Sequence, residues 1–94
     1  MTPESIAQDI IAHPHFDAFI RDQMFITGNI QDWQDFGVTR QNEFFVLQEM
    51  EKLNPCIEIG FGPFFTVFEN EEIQQDYHQM LADRKNVKPI HPYH

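Results

Sequence analysis

Apolar residues recur at helical spacing through the first half of this chain, then switch to alternation near residue 57. Thr2-Pro3-Glu4 reads as a helix start. Thr2 caps, Pro3 has its φ preset for the first helical position, and Glu4 suits the positive end of the helix dipole. Ile6, Ile10 and Ile11 form the stripe of this helix. His13-Pro14 interrupts it, because a residue before proline avoids the α region. Pro14 opens a second helix with apolar positions at Phe16, Phe19, Ile20 and Met24, and with Asp17 and Arg21 spaced as an i,i+4 ion pair. Thr27-Gly28-Asn29 reads as the end of that helix. Asn29 then caps a short third helix in which Ile30, Trp33 and Phe36 recur every three residues, and Gly37 closes it. Thr39 is the expected cap of a fourth helix with Phe44, Val46, Leu47, Met50 and Leu53 as apolar positions, ended by Asn54-Pro55.

The period then changes. Ile57, Ile59 and Phe61 alternate with Glu58 and Gly60, and Phe64 to Glu69 is rich in aromatic and β-branched residues. With turn chemistry at residues 60–63, the pattern predicts a β-hairpin over approximately 56–69. Its second strand carries Phe64, Thr66 and Phe68 on one face and Phe65 and Val67 on the other, so packing is expected on both sides. Asn70-Glu71-Glu72 caps and charges a C-terminal amphipathic helix, 71–85, with Ile73, Tyr77, Met80 and Leu81 on its apolar face. Arg84 and Lys85 complement its dipole and Asn86 is the expected C-cap.

These elements predict a small single α+β domain: four to five short helices packed around a β-hairpin. Residues 1–86 form the compact body and 87–94, with two prolines, an extended basic tail. Two strands alone make a weak sheet. The hairpin must therefore pack on the helices, or its edge must pair with another chain. Coverage by helices or by the tail is the first expectation, as short edges in small α+β domains are usually covered.

Composition changes the picture in two ways. Ten Phe, two Tyr and one Trp supply the core that 94 residues need, each buried aromatic removing about 150–250 Å² from water. Charge is lopsided: 15 Asp and Glu against 6 Lys and Arg, a net of −9. Residues 1–83 hold all 15 acids and only Arg21, Arg40 and Lys52, a net of −12. Such an imbalance bears on partners and solubility rather than on fold. Phosphate contacts need clustered Lys and Arg, so direct nucleic-acid binding is not expected. The N-terminus lacks the basic start and apolar run of a signal peptide, and no stretch approaches the ~20 apolar residues of a membrane span. A single cysteine, Cys56, allows no intrachain disulfide. A cytoplasmic protein without membrane contact is the expectation.

Candidate chemistry is sparse. His13-Pro14-His15 and His91-Pro92-Tyr93-His94 would bring four imidazoles together if the chain ends met, but the spacing matches no established metal site. Cys56 is most simply a small buried hydrophobe. No nucleophile elbow, phosphate-cradling glycine loop or metalloprotease helix motif is present. No catalytic residue, metal or cofactor is expected, and His13, His15, His78 and Cys56 are the reserve for an enzyme or metal protein.

The acidic surface is what remains. Glu72, Asp76, Gln79 and Asp83 fall on one side of the last helix, away from its apolar face. Asp32 and Asp35 add a second acidic pair beside Trp33, a residue type enriched among binding hot spots. Ordinary soluble surfaces mix both signs; this one hardly does. The reading is a small, acidic, non-enzymatic protein that inhibits or modulates a larger partner with a basic surface. Inhibitors of nucleic-acid enzymes from phages or mobile elements share this physical character, with acids in the place of phosphates. Glu72, Asp76, Asp83, Asp32, Asp35 and Trp33 are the candidate partner-binding residues. The alternative is a structural or assembly module, or a homodimer, using the hairpin edge and an exposed patch of Phe61, Phe64 and Phe68.

Overall fold

The structure, a computed structural model, describes residues 1–86. The expected extended tail, with Lys88, His91 and His94, lies outside them. The order is α1 (Pro3–Ala12), α2 (Pro14–Ile20), β1 (Phe25–Asn29), a 3₁₀ segment (Ile30–Phe36), α3 (Glu43–Leu53), β2 (Ile57–Ile59), β3 (Phe64–Phe68) and α4 (Glu71–Asn86). It is a small α+β domain, as the pattern predicts. The sheet, however, has three antiparallel strands in the order β1-β3-β2.

The helix starts follow local chemistry. Thr2 and Ser5 exchange side-chain and backbone bonds at 3.1 Å in a capping box at the start of α1. His13 ends α1 in an extended conformation and caps α2, its Nδ1 accepting from the His15 N–H at 3.1 Å. Asn29 caps the 3₁₀ segment, and Gly37 closes it at φ +104°, a left-handed conformation that favours glycine. The three-residue recurrence of Ile30, Trp33 and Phe36 is thus the period of a 3₁₀ helix, with a kink at Trp33. Asn70 caps α4, its Oδ1 accepting from the Ile73 N–H at 2.9 Å.

Two sequence expectations are corrected here. The second helix does not reach Met24. It ends at Ile20, Arg21 turns extended and Asp22 takes φ +62°, which redirects the chain into β1. Thr27-Gly28-Asn29 is therefore strand, paired with β3 as Thr27↔Thr66, Gly28↔Phe65 and Asn29↔Phe64. Thr39 does not cap α3 directly. It closes a reciprocal turn with Asn42, whose N–H donates to Thr39 Oγ1 at 3.2 Å while the Thr39 N–H donates to Asn42 Oδ1 at 2.7 Å, and the helix begins at Glu43.

The strand alternation sorts two layers onto the sheet. Phe65 and Val67 face one way, onto a core of Ile6, Ala7 and Ile10 from α1, Phe16 from α2, and Val46, Leu47 and Met50 from α3. Ile57 joins them as the β2 partner of Val67. On the opposite face Phe68, only 2 % exposed, packs with Phe25 and with Tyr77 of α4, ring centroids 5.8 and 5.3 Å away. Such aromatic pairs contribute about 0.5–1.5 kcal/mol each beyond their area. Packing on both faces of β3 is as expected, but Phe64 stays half-exposed and Phe44 and Leu53 of α3 face solvent. No helix among the described residues is long and apolar enough to cross a membrane.

Candidate functional site

β1 is an edge strand, and the register shows which of its groups are free. The Glu69 N–H donates to the Met24 carbonyl at 3.0 Å and the Ile30 N–H to the Pro63 carbonyl at 2.9 Å. Alternation in an antiparallel ladder then turns the main-chain groups of Ile26 and Gly28 toward β3, and those of Phe25 and Thr27 with the Asn29 N–H away from it. Among the described residues none of these outward groups has a hydrogen-bond partner outside regular structure. On its β3 side the hairpin is thus covered by a strand, β1, rather than by a helix, and the edge passes to β1. From Met24 to Ile30 the edge also carries no charge and no proline, the usual devices against strand pairing.

Two clefts open beside this edge, one on each face of the sheet. The first, about 200 Å³, lies between Met24 and Phe25 and the Ile73, Asp76, Tyr77 and Met80 side of α4. It is apolar except for Asp76. Phe25 and Tyr77 stack at 5.3 Å, and Met24 is 65 % exposed, Phe25 45 % and Met80 44 %. The second, about 220 Å³, lies at the other end of the strand, where Gly28 and Asn29 meet Phe19 of α2 and Asp32, Trp33 and Asp35 of the 3₁₀ segment.

Of the candidate residues, Asp76, Asp32, Trp33 and Asp35 line these clefts, whereas Glu72 and Asp83 do not. Glu72, Asp76 and Asp83 are exposed on α4, and Asp83 accepts from Gln79 Nε2 at 3.0 Å. Asp76 borders the first cleft and Asp32 and Asp35 the second, so the two acidic groups flank one strand. Trp33 is half-buried and packs on Phe16 and Phe36, centroids 5.8 and 5.5 Å away, so its first role is to fasten the 3₁₀ segment to α2. Sequence reasoning did not include Met24, Phe25 and Thr27. The run Phe25-Ile26-Thr27 is aromatic and β-branched, a strand signal too short to outweigh the helical spacing before it.

Other concavities are chemically quieter. A wider one, about 650 Å³, is lined by Gln31, Gln34, Arg40 and Glu43 beside Asn29 and Pro63, and Gln31 spends its amide on Glu43. Among the described residues no three His, Cys, Asp or Glu gather as a metal site. Cys56 is half-buried. Burial first, then the carboxylates of Glu71 and Glu58, raise its thiol above the ordinary 9.0. That disfavours the reactive thiolate near neutral pH. Of the exposed phenylalanine patch, Phe61 at the hairpin tip is 93 % exposed and Phe64 partly so, but Phe68 belongs to the interior.

Neither a protein-family model nor a curated protein nor a solved structure matches this chain.

Proposed function

We propose that this protein is a small, acidic, non-enzymatic binding protein that docks on a larger partner with a basic surface and inhibits or modulates it. A nucleic-acid enzyme is the partner whose surface chemistry fits best, with carboxylates taking the place of phosphates. An inhibitor from a phage or mobile element is the physical type, and a cytoplasmic setting goes with it. One observation carries the reading: Asp76 on α4 and Asp32 and Asp35 in the 3₁₀ segment border clefts on either side of an unprotected strand. Among the described residues no ion pair involves Asp32, Asp35 or Asp76; the pairs formed are Arg21–Asp17, Lys52–Glu49 and His78–Glu58. Complementary potential of this kind speeds association and selects the partner.

Charge reversal tests this. Glu72→Lys with Asp76→Lys should leave the circular dichroism spectrum unchanged and abolish salt-sensitive capture of basic proteins from host extract. Capture that is equally strong at low and high salt, and unaffected by the reversal, would sink the proposal.

The exposure of Phe61 and Phe64 at the hairpin favours the second reading, a homodimer or assembly module. Light scattering separates the two: a stable dimer that persists at micromolar concentration and vanishes in Phe61→Ser supports this alternative.

A further inference from the structure

We infer that the partner is engaged by strand addition: an extended segment of it, alternating apolar and basic side chains, pairs with the free edge of β1 as a fourth strand. This rests on the reading of the protein as a binder of a basic partner and supplies its mode.

The edge offers what strand addition needs. Main-chain groups at Phe25 and Thr27, with the Asn29 N–H, point outward without partners among the described residues, over a length of ~13 Å at ~3.3 Å per residue. An added strand sends successive side chains to opposite faces of the sheet. Here each face has its own cleft at the edge, about 200 Å³ on the α4 side and about 220 Å³ beside the 3₁₀ segment. Both fall below the roughly 300–1,000 Å³ usual for small-molecule sites, and they suit single side chains. Main-chain bonds then supply affinity and the alternate pockets specificity.

Charge and polarity set the occupant's chemistry. The α4 cleft takes an apolar side chain against Phe25, Tyr77 and Met80, with Asp76 at its rim for a neighbouring cation. The opposite cleft places Asp32 and Asp35 where Lys or Arg would reach. A second copy of this chain is the poorer occupant. Antiparallel self-pairing would bring acidic flanks together, Asp22 before the strand and Asp32 after it, on a chain of net charge −9.

The test uses the full chain, isotopically labelled, at low salt with two capped octapeptides. One alternates Lys or Arg with Leu, Val and Phe. The other is identical in sequence but N-methylated at every second residue, which keeps the charge and removes the donors along one edge. The plain peptide should slow exchange of the Phe25 and Thr27 amides. It should also bind at least about tenfold more tightly than its N-methylated twin, the loss of two or three hydrogen bonds. Thr27→Pro, whose lost N–H faces away from β3, should abolish that difference with the circular dichroism spectrum retained.

Equal binding of both peptides without new protection at Phe25 and Thr27 overturns strand addition while leaving the acidic-binder reading intact. Failure of both to bind overturns strand addition, and salt-insensitive capture of basic proteins that Asp32→Lys and Asp76→Lys leave unchanged overturns the acidic-binder reading as well. Protection of the β1 amides that grows with protein concentration and no peptide assigns the edge to a second copy, and likewise overturns the inference.

Discussion

Glu58 on β2 and His78 on α4 stand twenty residues apart in sequence and 2.5 Å apart in space, carboxylate Oε2 to imidazole Nε2. The same oxygen accepts from Gln74 Nε2 at 2.7 Å, so two successive turns of α4 are tied to one sheet residue. Glu58→Ala should cost about 0.5–1.5 kcal/mol and speed amide exchange in α4 while leaving that of α1 and α3 unchanged. Unaltered exchange along α4 would mean that the aromatic contacts of Tyr77 and the Gln74 bond to the Pro55 carbonyl hold the helix without Glu58.

Gly28 is where the strand most tightly constrains its residue. A Cβ there would lie 2.7 Å from Phe65 Cζ and 2.9 Å from Phe19 Cζ, closer than carbon atoms tolerate. Reduced freedom of the unfolded chain favours alanine by about 0.4–1 kcal/mol. Overpacking opposes it by about 1–3 kcal/mol and wins. Gly28→Ala should therefore lower the urea midpoint, and a raised midpoint would show that the two rings move aside freely.

Phe61 and Phe68 are the same residue type in opposite settings, 93 % and 2 % exposed. Phe68→Ala should destabilise by about 3–5 kcal/mol. Phe61→Ala should stay within about 0.5 kcal/mol of the parent. Thermal or denaturant unfolding of the pair distinguishes them, and similar losses would contradict the packing of Phe68 between Phe25 and Tyr77.

Cys56 gives a pH dependence whose sign is fixed. Its thiol pKa is raised in the folded protein by burial, then by Glu71 and Glu58, so the unfolded chain loses this proton first. Stability from this group is complete below the ordinary value of 9.0 and falls as pH rises from there through the raised folded value. Cys56→Ala should flatten the fall between pH 8 and 10 in denaturant titrations. Alkylation by iodoacetamide at pH 7 should be slower for the folded protein than for a free thiol.

How far the fold was legible depends on the range of the interactions that define each element. Thr2, His13, Asn29 and Asn70 act on backbone groups two or three residues away, so the caps could be read locally. The hairpin's alternation and turn are local too. β1 is not: Phe25 to Asn29 becomes strand because Phe68 to Phe64 lies alongside, and tertiary pairing of this kind overrides a weak local preference. The acidic stripe of α4 follows from helical spacing alone. Its relation to Asp32 and Asp35 does not, because both border one edge only when residues 25–29 are known to be a strand. The exposure of Phe44 and Leu53 was likewise hidden, as their helix buries Val46, Leu47 and Met50 instead.

The pairing of β1 with β3 also sets an order of assembly. β2 and β3 are joined by residues 60–63 and can zip as a hairpin, whereas β1 reaches β3 only across residues 30–63. Closing the longer loop carries the greater entropic cost and slows the step. In pulse-labelled refolding the amides of Ile26 and Gly28 should gain protection after those of Glu58 and Thr66, and simultaneous protection would contradict this. The strand with the open edge is thus the last to be set, so a partly folded chain does not yet present the β1 edge and its two clefts to a partner. Recognition at β1 would itself be a proofreading of the native state.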